Sequence, residues 1–266
     1  MLKLPAKAVI FDLDGTLLNS MYAWRDAQIY SIEQALLQDK SLFERGILTG
    51  QSFNYQYDQK AAIESFHFSP EDAQSLWDET KELTLEQLSK FIFERYKVSV
   101  QSQQLLDWAY AYVKPFYENA SFDFKPAADK LLSQLQESKI PHAIASATNA
   151  YYIRKYFKNI SLGPKCIVCT DDVGKSKFYP DVYDYALQEL FELEDYRSLP
   201  QEALRALRSQ VWVVEDTRHC AKTAFEAGYK VLAVHDEFSR DSWSQETHPP
   251  YHHFVNNFSE LEFELI

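Results

Sequence analysis

Ala8-Val9-Ile10-Phe11-Asp12-Leu13-Asp14-Gly15-Thr16-Leu17 opens as an unbroken apolar run and stops abruptly in acids. The run is too short for a helix and is apolar at every position. That is how a strand buried on both faces reads when it feeds a polar loop. The same form recurs down the chain. His142-Ala143-Ile144-Ala145 ends in Ser146-Ala147-Thr148-Asn149, and Cys166-Ile167-Val168-Cys169 ends in Thr170-Asp171-Asp172. Val211-Trp212-Val213-Val214 ends in Glu215-Asp216-Thr217, and Lys230-Val231-Leu232-Ala233-Val234 ends in His235-Asp236.

Helical patterns lie between these runs. Pro126 to Glu137 carries Ala127, Leu131, Leu132 and Leu135 at helical spacing, and Pro180 to Phe191 carries Val182, Tyr183, Ala186, Leu187 and Leu190. His219 to Ala227 is short, Ala-rich and followed by Gly228, a helix stop signal. Leu199 to Ser209 reads as a further surface helix. Alternation of this kind predicts an α/β fold, a parallel sheet with helices on both faces. From about Ser20 to Phe122 the rhythm breaks. Long amphipathic patterns, Pro70 to Tyr96 and Gln101 to Tyr117, replace the short runs, and Ser69-Pro70-Glu71 is a helix start. A helical insertion therefore separates the first strand from the second.

The composition bounds the function. Of 266 residues, 46% are hydrophobic and 15% aromatic, enough for a large core, and the formal net charge is -12. An acidic chain is not expected to bind nucleic acid, which needs a basic face to displace counterions. It can still take a small phosphorylated ligand on a local cluster of cations and a metal. No apolar run approaches the about 18 residues of a membrane span, and no secretory signal is read before Asp12, so no membrane partner is expected. Cys166, Cys169 and Cys220 are three, an odd number that reads as free thiols. The expected setting is the cytoplasm.

The polar residues gather at the carboxyl ends of the predicted strands, the edge where open α/β sheets bind ligands. Asp12-Leu13-Asp14-Gly15-Thr16-Leu17 resembles the signature of the haloacid dehalogenase-like hydrolases. Three further segments resemble that family's other motifs in the same order. Ala145-Ser146-Ala147-Thr148-Asn149 carries the phosphate-holding Ser or Thr. Asp171 to Tyr183 carries a lysine, Lys177, three residues before Pro180-Asp181. Val214-Glu215-Asp216-Thr217 precedes Ala224 and Ala227-Gly228. The resemblance implies a Rossmann-like core over residues 1–19 and 120–266 and a helical cap domain over 20–119. The cap would close over the site on hinges near Leu17 to Ser20 and Asn119 to Lys125. The branch with such a cap includes phosphoglycolate-phosphatase-like and β-phosphoglucomutase-like proteins.

The chemistry implied is phosphomonoester hydrolysis. A phosphate dianion repels anionic nucleophiles, so a metal must screen its charge. Mg²⁺ takes oxygen ligands, here the carboxylates of Asp12 and Asp216 and the backbone carbonyl of Asp14, with Glu215 reaching it through water. Asp12 is the expected nucleophile and forms an aspartyl-phosphate. Asp14, two residues on and on the same side of an extended strand end, protonates the leaving alcohol and then activates water. Lys177 neutralises charge on the nucleophile and the phosphoryl oxygens. The Ser146 hydroxyl and the Ala147 N–H complete the phosphate cradle. An acid at Asp14 favours phosphomonoesters, since dehalogenating and phosphonate-cleaving relatives lack it. The family pattern selects Lys177 over its neighbour Lys175.

Other readings stand beside these. A phosphomutase of the β-phosphoglucomutase type is one, although Trp24 stands where that branch carries a cap histidine. A ligand-binding module without turnover is another. Cys166-x-x-Cys169 reads as core packing, and His248, His252 and His253 as solvated residues of a loop with Pro249-Pro250. Tyr22, Trp24, Arg25, Phe53, Tyr55 and Tyr57 are either core of the cap or lining of a substrate pocket, Arg25 being the best candidate for specificity. The oligomer is read as monomer or homodimer.

Overall fold

The computed structural model describes residues 2–48, 67–81, 83–238, 243 and 249–266. The chain divides into two compact units, Met1–Ser20 with Tyr117–Ile266, and Met21–Phe116. The first unit opens with strands β1 (Leu2–Ala6) and β2 (Ala8–Phe11). The second contains the helices α1 (Met21–Leu36), α2 (Ser41–Glu44), α3 (Pro70–Thr80), α4 (Leu85–Tyr96) and most of α5 (Ser102–Glu118). The first unit then resumes with α6 (Ala128–Glu137), β3 (His142–Ser146), α7 (Ala150–Phe157), β4 (Cys166–Cys169), α8 (Thr170–Val173) and α9 (Asp181–Phe191). It ends with α10 (Gln201–Arg208), β5 (Val211–Glu215), α11 (Arg218–Ala227), β6 (Lys230–Val234), β7 (His253–Val255) and β8 (Leu261–Leu265).

The main sheet is a Rossmann-like parallel sheet of six strands in the order β4-β3-β2-β5-β6-β7. From β2 the chain steps through β3 to β4 on one side, then returns to build β5, β6 and β7 on the other. The reversal falls between β2 and β5, and such a switch point leaves a crevice at the carboxyl edge. The two strands are in register from Ala8↔Val211 to Phe11↔Val214, and the Asp12 N–H donates to the Val214 carbonyl at 2.9 Å. β2, β3 and β5 are buried at every position, as their apolar runs require, with the polar His142, Ser146 and Glu215 only at the strand ends. The core beneath them is formed by Ile10, Val168, Tyr183, Leu187, Val213 and Val231 with their neighbours. Arg208 clamps this face: its Nε donates to Asp184 Oδ1 at 2.8 Å, and the Tyr229 hydroxyl donates to the same oxygen at 2.8 Å.

Several elements depart from the sequence reading. The long pattern from Pro70 to Tyr96 is two helices. Thr80 is fully buried and its hydroxyl turns back to the Leu76 carbonyl at 2.6 Å. A new helix then starts at Thr84, which exchanges hydrogen bonds with Gln87 in a capping box. β1 and β8 form a separate parallel pair that the sequence reading lacked. Leu2–Ala6 carries Lys3 and Pro5 and never makes an apolar run. The segment read as a loop of solvated histidines leaves His252 exposed but contains β7, which pairs with β6. His252 is tied into it: the Val231 N–H donates to its Nδ1 at 3.0 Å, and its ring meets Trp212 edge-on. His248 lies outside the described residues. Gly228 closes α11 with φ 101°, where a side chain would also press on Arg205. Among the described residues, no helix is long and apolar enough to cross a membrane.

His142 gives the fold a pH dependence. It is 5% exposed, and its Nε2 has no hydrogen-bond partner among the described residues. Burial holds its pKa below the ordinary histidine value, against a backbone hydrogen bond to Ile140. The unfolded chain therefore takes up this proton first. The stability from neutral His142 is complete above about pH 6.5 and is lost as the pH falls from there through the lower folded value. Thermal melts between pH 7 and 5 are expected to show a falling Tm, with a shallower slope in His142→Gln. Equal slopes would contradict the assignment.

Candidate active site

Four strand ends meet at the crevice. β2 delivers Asp12, β3 delivers Ser146, β5 delivers Glu215 and Asp216, and the loop after β4 and α8 delivers Lys177. Gly15, at φ 86°, lets the chain turn sharply after Asp14. The turn is closed by Gly15 N–H to the Leu18 carbonyl at 2.9 Å and by Leu17 and Leu18 N–H on the Leu13 carbonyl, each at 2.9 Å.

Asp12, Glu215 and Asp216 are buried, and one carboxylate oxygen from each lies within 4.8 Å of the other two. Opposite ligands around Mg²⁺ are separated by about 4 Å, so an oxygen-only set of this span fits a hard divalent cation. Lys177 enters from the other side and is 6% exposed. Its Nζ donates to Asp12 Oδ1 at 2.6 Å and to the Ala145 carbonyl at 2.9 Å, and lies 2.6 Å from Glu215 Oε1. Burial opposes the ammonium charge, but Asp12 and Glu215 outweigh it and hold the Lys177 pKa well above the lysine range. Burial likewise pushes the Glu215 carboxyl up, against the pull of Lys177; a divalent cation in the cluster would bring it down. The Tyr183 hydroxyl donates to Glu215 Oε1 at 2.7 Å, and Thr16 Oγ1 donates to Asp216 Oδ1 at 3.3 Å.

Glu215 thus stands in the carboxylate cluster itself and in direct contact with Lys177. Lys175 lies apart, 50% exposed at its side chain and paired with Asp181 at 2.6 Å. Ser146 is buried, and its Oγ accepts the Thr148 N–H at 3.0 Å. Ala147 is exposed.

Asp14 has a different environment. Its Oδ1 accepts hydrogen bonds from Ser20 Oγ at 2.6 Å and from the Tyr117 hydroxyl, and its Oδ2 accepts one from Thr148 Oγ1 at 2.8 Å. Burial pushes this carboxyl above the ordinary aspartate range. The Asp12 charge adds to that, and the three hydroxyls oppose it. Sequence reasoning missed Tyr117, Ser20 and Thr148. The one available signal is that a tyrosine on a buried helix face must find a partner for its hydroxyl.

In the helical unit, Arg25 donates through Nε and Nη2 to Asp26 Oδ1, at 2.9 and 2.6 Å. Trp24 meets Tyr110 edge-on, and Tyr22 meets Phe116 in the same way. Tyr22, Trp24 and Arg25 are each half-buried. Phe53, Tyr55 and Tyr57 lie outside the described residues. Cys169 and Cys220 are buried and Cys166 is half-buried, all as free thiols; burial pushes Cys220 up to about 11.

A family model described as haloacid dehalogenase-like hydrolase matches residues 6–228. The chain belongs to the haloacid dehalogenase-like hydrolases. None of the curated proteins compared with it matches significantly in sequence. Solved structures of similar fold include CbbY from Rhodobacter sphaeroides in complex with phosphate (16% identity, 96% of each chain, TM-score 0.62). A CbbY mutant holds xylulose-(1,5)bisphosphate (18% identity, 97% of each chain, TM-score 0.62). A third is a haloacid dehalogenase hydrolase, family IA, variant 3, from Entamoeba histolytica (16% identity, 95% of this chain and 94% of that one, TM-score 0.63). At such identities the likeness is one of fold. The family match makes the protein a hydrolase.

Proposed function

We propose that this hydrolase is a Mg²⁺-dependent phosphatase that cleaves a small phosphorylated metabolite through an aspartyl-phosphate on Asp12. The observation that carries the reading is the pair of carboxyls at one strand end held in different surroundings. Asp12 accepts the Lys177 ammonium at 2.6 Å and stands in the three-carboxylate cluster, where a nucleophile aimed at a metal-screened phosphoryl group must stand. Asp14, two residues on, is pushed towards its protonated form, as an acid must be. Neighbours of the same fold with bound phosphate or a sugar bisphosphate agree with this substrate class.

The residues account for the whole cycle. Asp12, Asp216, the Asp14 carbonyl and Glu215, the last directly or through water, would hold Mg²⁺, which would supply the screening of the phosphoryl charge. Ser146 Oγ, the Ala147 N–H and Lys177 hold the phosphoryl oxygens. An oxygen of Asp12 bonds to phosphorus as the bond to the leaving oxygen breaks. The leaving oxygen keeps that electron pair and takes the proton of Asp14. Asp14, now ionised, takes a proton from water, whose oxygen attacks the same phosphorus. The Asp12–phosphorus bond breaks, returning the carboxylate and inorganic phosphate. Trp24 packs against Tyr110 where mutases of the related branch use a histidine, so hydrolysis is favoured over transfer. The helical unit, Met21–Phe116, with Arg25 as its candidate residue, is assigned to substrate selection. Three free thiols suit the cytoplasm.

The test is phosphate release from small phosphorylated metabolites and p-nitrophenyl phosphate, with Mg²⁺ and with EDTA. Release that requires Mg²⁺ is expected; release undiminished by EDTA contradicts the metal assignment. Binding also stabilises the fold: Mg²⁺ at a hundred times its Kd adds about 2.7 kcal/mol. A rise in Tm with Mg²⁺, reversed by EDTA, is the corresponding calorimetric result.

A further inference from the structure

We infer that Tyr117 is a positioning residue for the acid Asp14: with Ser20 it occupies one carboxyl oxygen, Oδ1, and so assigns the transferable proton to the other, Oδ2. The inference rests on the phosphatase reading, in which Asp14 protonates the leaving group.

Ser20 is the last residue of the sheet-bearing unit before the helical unit, and Tyr117 is the first residue after it. Each junction therefore supplies one hydroxyl, and both hydroxyls donate to the same atom, Asp14 Oδ1. Both residues are fully buried, at 0% exposure. The Tyr117 ring is wedged edge-on against Phe122 at 5.1 Å and tilted against Tyr152 at 6.0 Å, which fixes where its hydroxyl points. A carboxyl oxygen that accepts two hydrogen bonds has both in-plane lone pairs engaged, so a proton there would displace a donor. Oδ2 accepts only the Thr148 hydroxyl among the described contacts. One in-plane lone pair of Oδ2 is therefore left beside the Thr148 bond, so Oδ2 can take a proton there and keep the partner. Thr148 also donates its N–H to Ser146 Oγ, which puts Oδ2 on the side of the phosphate cradle. Tyr117 and Ser20 thus lock the plane of the carboxyl and present the proton-bearing edge to the leaving oxygen.

Loss of the Tyr117 hydroxyl frees Oδ1 to carry the proton and lets the carboxyl rotate. The damage falls on the step that needs the acid and not on binding. Phenyl phosphate expels a phenol as basic as tyrosine, pKa about 10, and needs the proton. p-Nitrophenyl phosphate expels a far more acidic phenol and needs it less. Tyr117→Phe keeps the ring and is expected to lower kcat on phenyl phosphate about tenfold more than on p-nitrophenyl phosphate, with both KM values little changed. Ser20→Ala removes the other donor to Oδ1 and is expected to shift the same ratio in the same direction; it carries the test if Tyr117→Phe does not fold. Equal losses on the two substrates, or no loss, in a folded variant would overturn the positioning role while leaving the phosphatase intact. A wild-type protein that releases phosphate from neither substrate would remove the phosphatase reading and this inference with it.

Discussion

Asp12→Asn is expected to lower phosphate release by about 10³-fold or more, the scale on which enzymes lose turnover when a nucleophile is removed. The argument is local. Asn keeps the shape of the side chain and an oxygen for the Lys177 ammonium, which Asp12 Oδ1 now accepts at 2.6 Å. What it lacks is the negative charge that attacks phosphorus and one oxygen of the three-carboxylate cluster. Folding is expected to survive, because removing one of three converging carboxylates relieves repulsion. The variant should therefore melt near the wild-type temperature without Mg²⁺ and gain less from adding it. A variant with intact turnover would remove Asp12 from the chemistry.

Lys177→Met is expected to damage both activity and stability. The ammonium touches Asp12 and Glu215, and all three groups are buried. Removing one partner of a buried ion pair typically costs about 3–5 kcal/mol, because the remaining charge stays buried without compensation. In a domain of this size that is a fall in Tm on the order of 10 °C. Mg²⁺ is expected to restore part of it, since a cation in the cluster can take over the charge on Asp12 and Glu215. Lys175→Met is the control. Its pair with Asp181 is half exposed, and such pairs contribute about 0–1 kcal/mol. Calorimetry of the two variants side by side separates the lysines. If Lys175→Met proved the more damaging, Lys177 would lose its role.

These expectations trace back to features of unequal legibility in the chain. The central strands could be read because β2, β3 and β5 are buried on both faces and carry apolar residues without interruption. β1 could not, because half of it faces solvent and Lys3 and Pro5 interrupt it. β8 left a weaker trace, the alternation Leu261-Glu262-Phe263-Glu264-Leu265, with Leu261 and Phe263 buried. Asp12, Glu215 and Asp216 stand where strands end in acids, and charge at a strand end is visible in one dimension; Lys177, in the loop after α8, was legible only through the family pattern. The hydroxyls around Asp14 are not. Ser20, Tyr117 and Thr148 come from three distant parts of the chain, and each alone reads as a cap or as helix core. Their convergence exists only once the two linkers fold back beside β2, through Asn19 N–H to the Asp123 carbonyl and Lys125 N–H to the Leu17 carbonyl at 2.9 and 2.8 Å. The one- or two-helix question at Thr80 was closed to periodicity for a similar reason. A buried threonine and a capping box four residues later break a pattern whose apolar spacing runs on.

The most direct test of the central claim is to catch the phosphoryl group on the chain. Acyl-phosphates survive acid and are cleaved by hydroxylamine, so the protein is quenched in acid during turnover of p-nitrophenyl phosphate with Mg²⁺, and the peptide containing Asp12 is mapped by mass spectrometry. The mechanism predicts a hydroxylamine-labile phosphate on Asp12 that is absent from Asp12→Asn. Sustained turnover with the phosphate on another residue would contradict it.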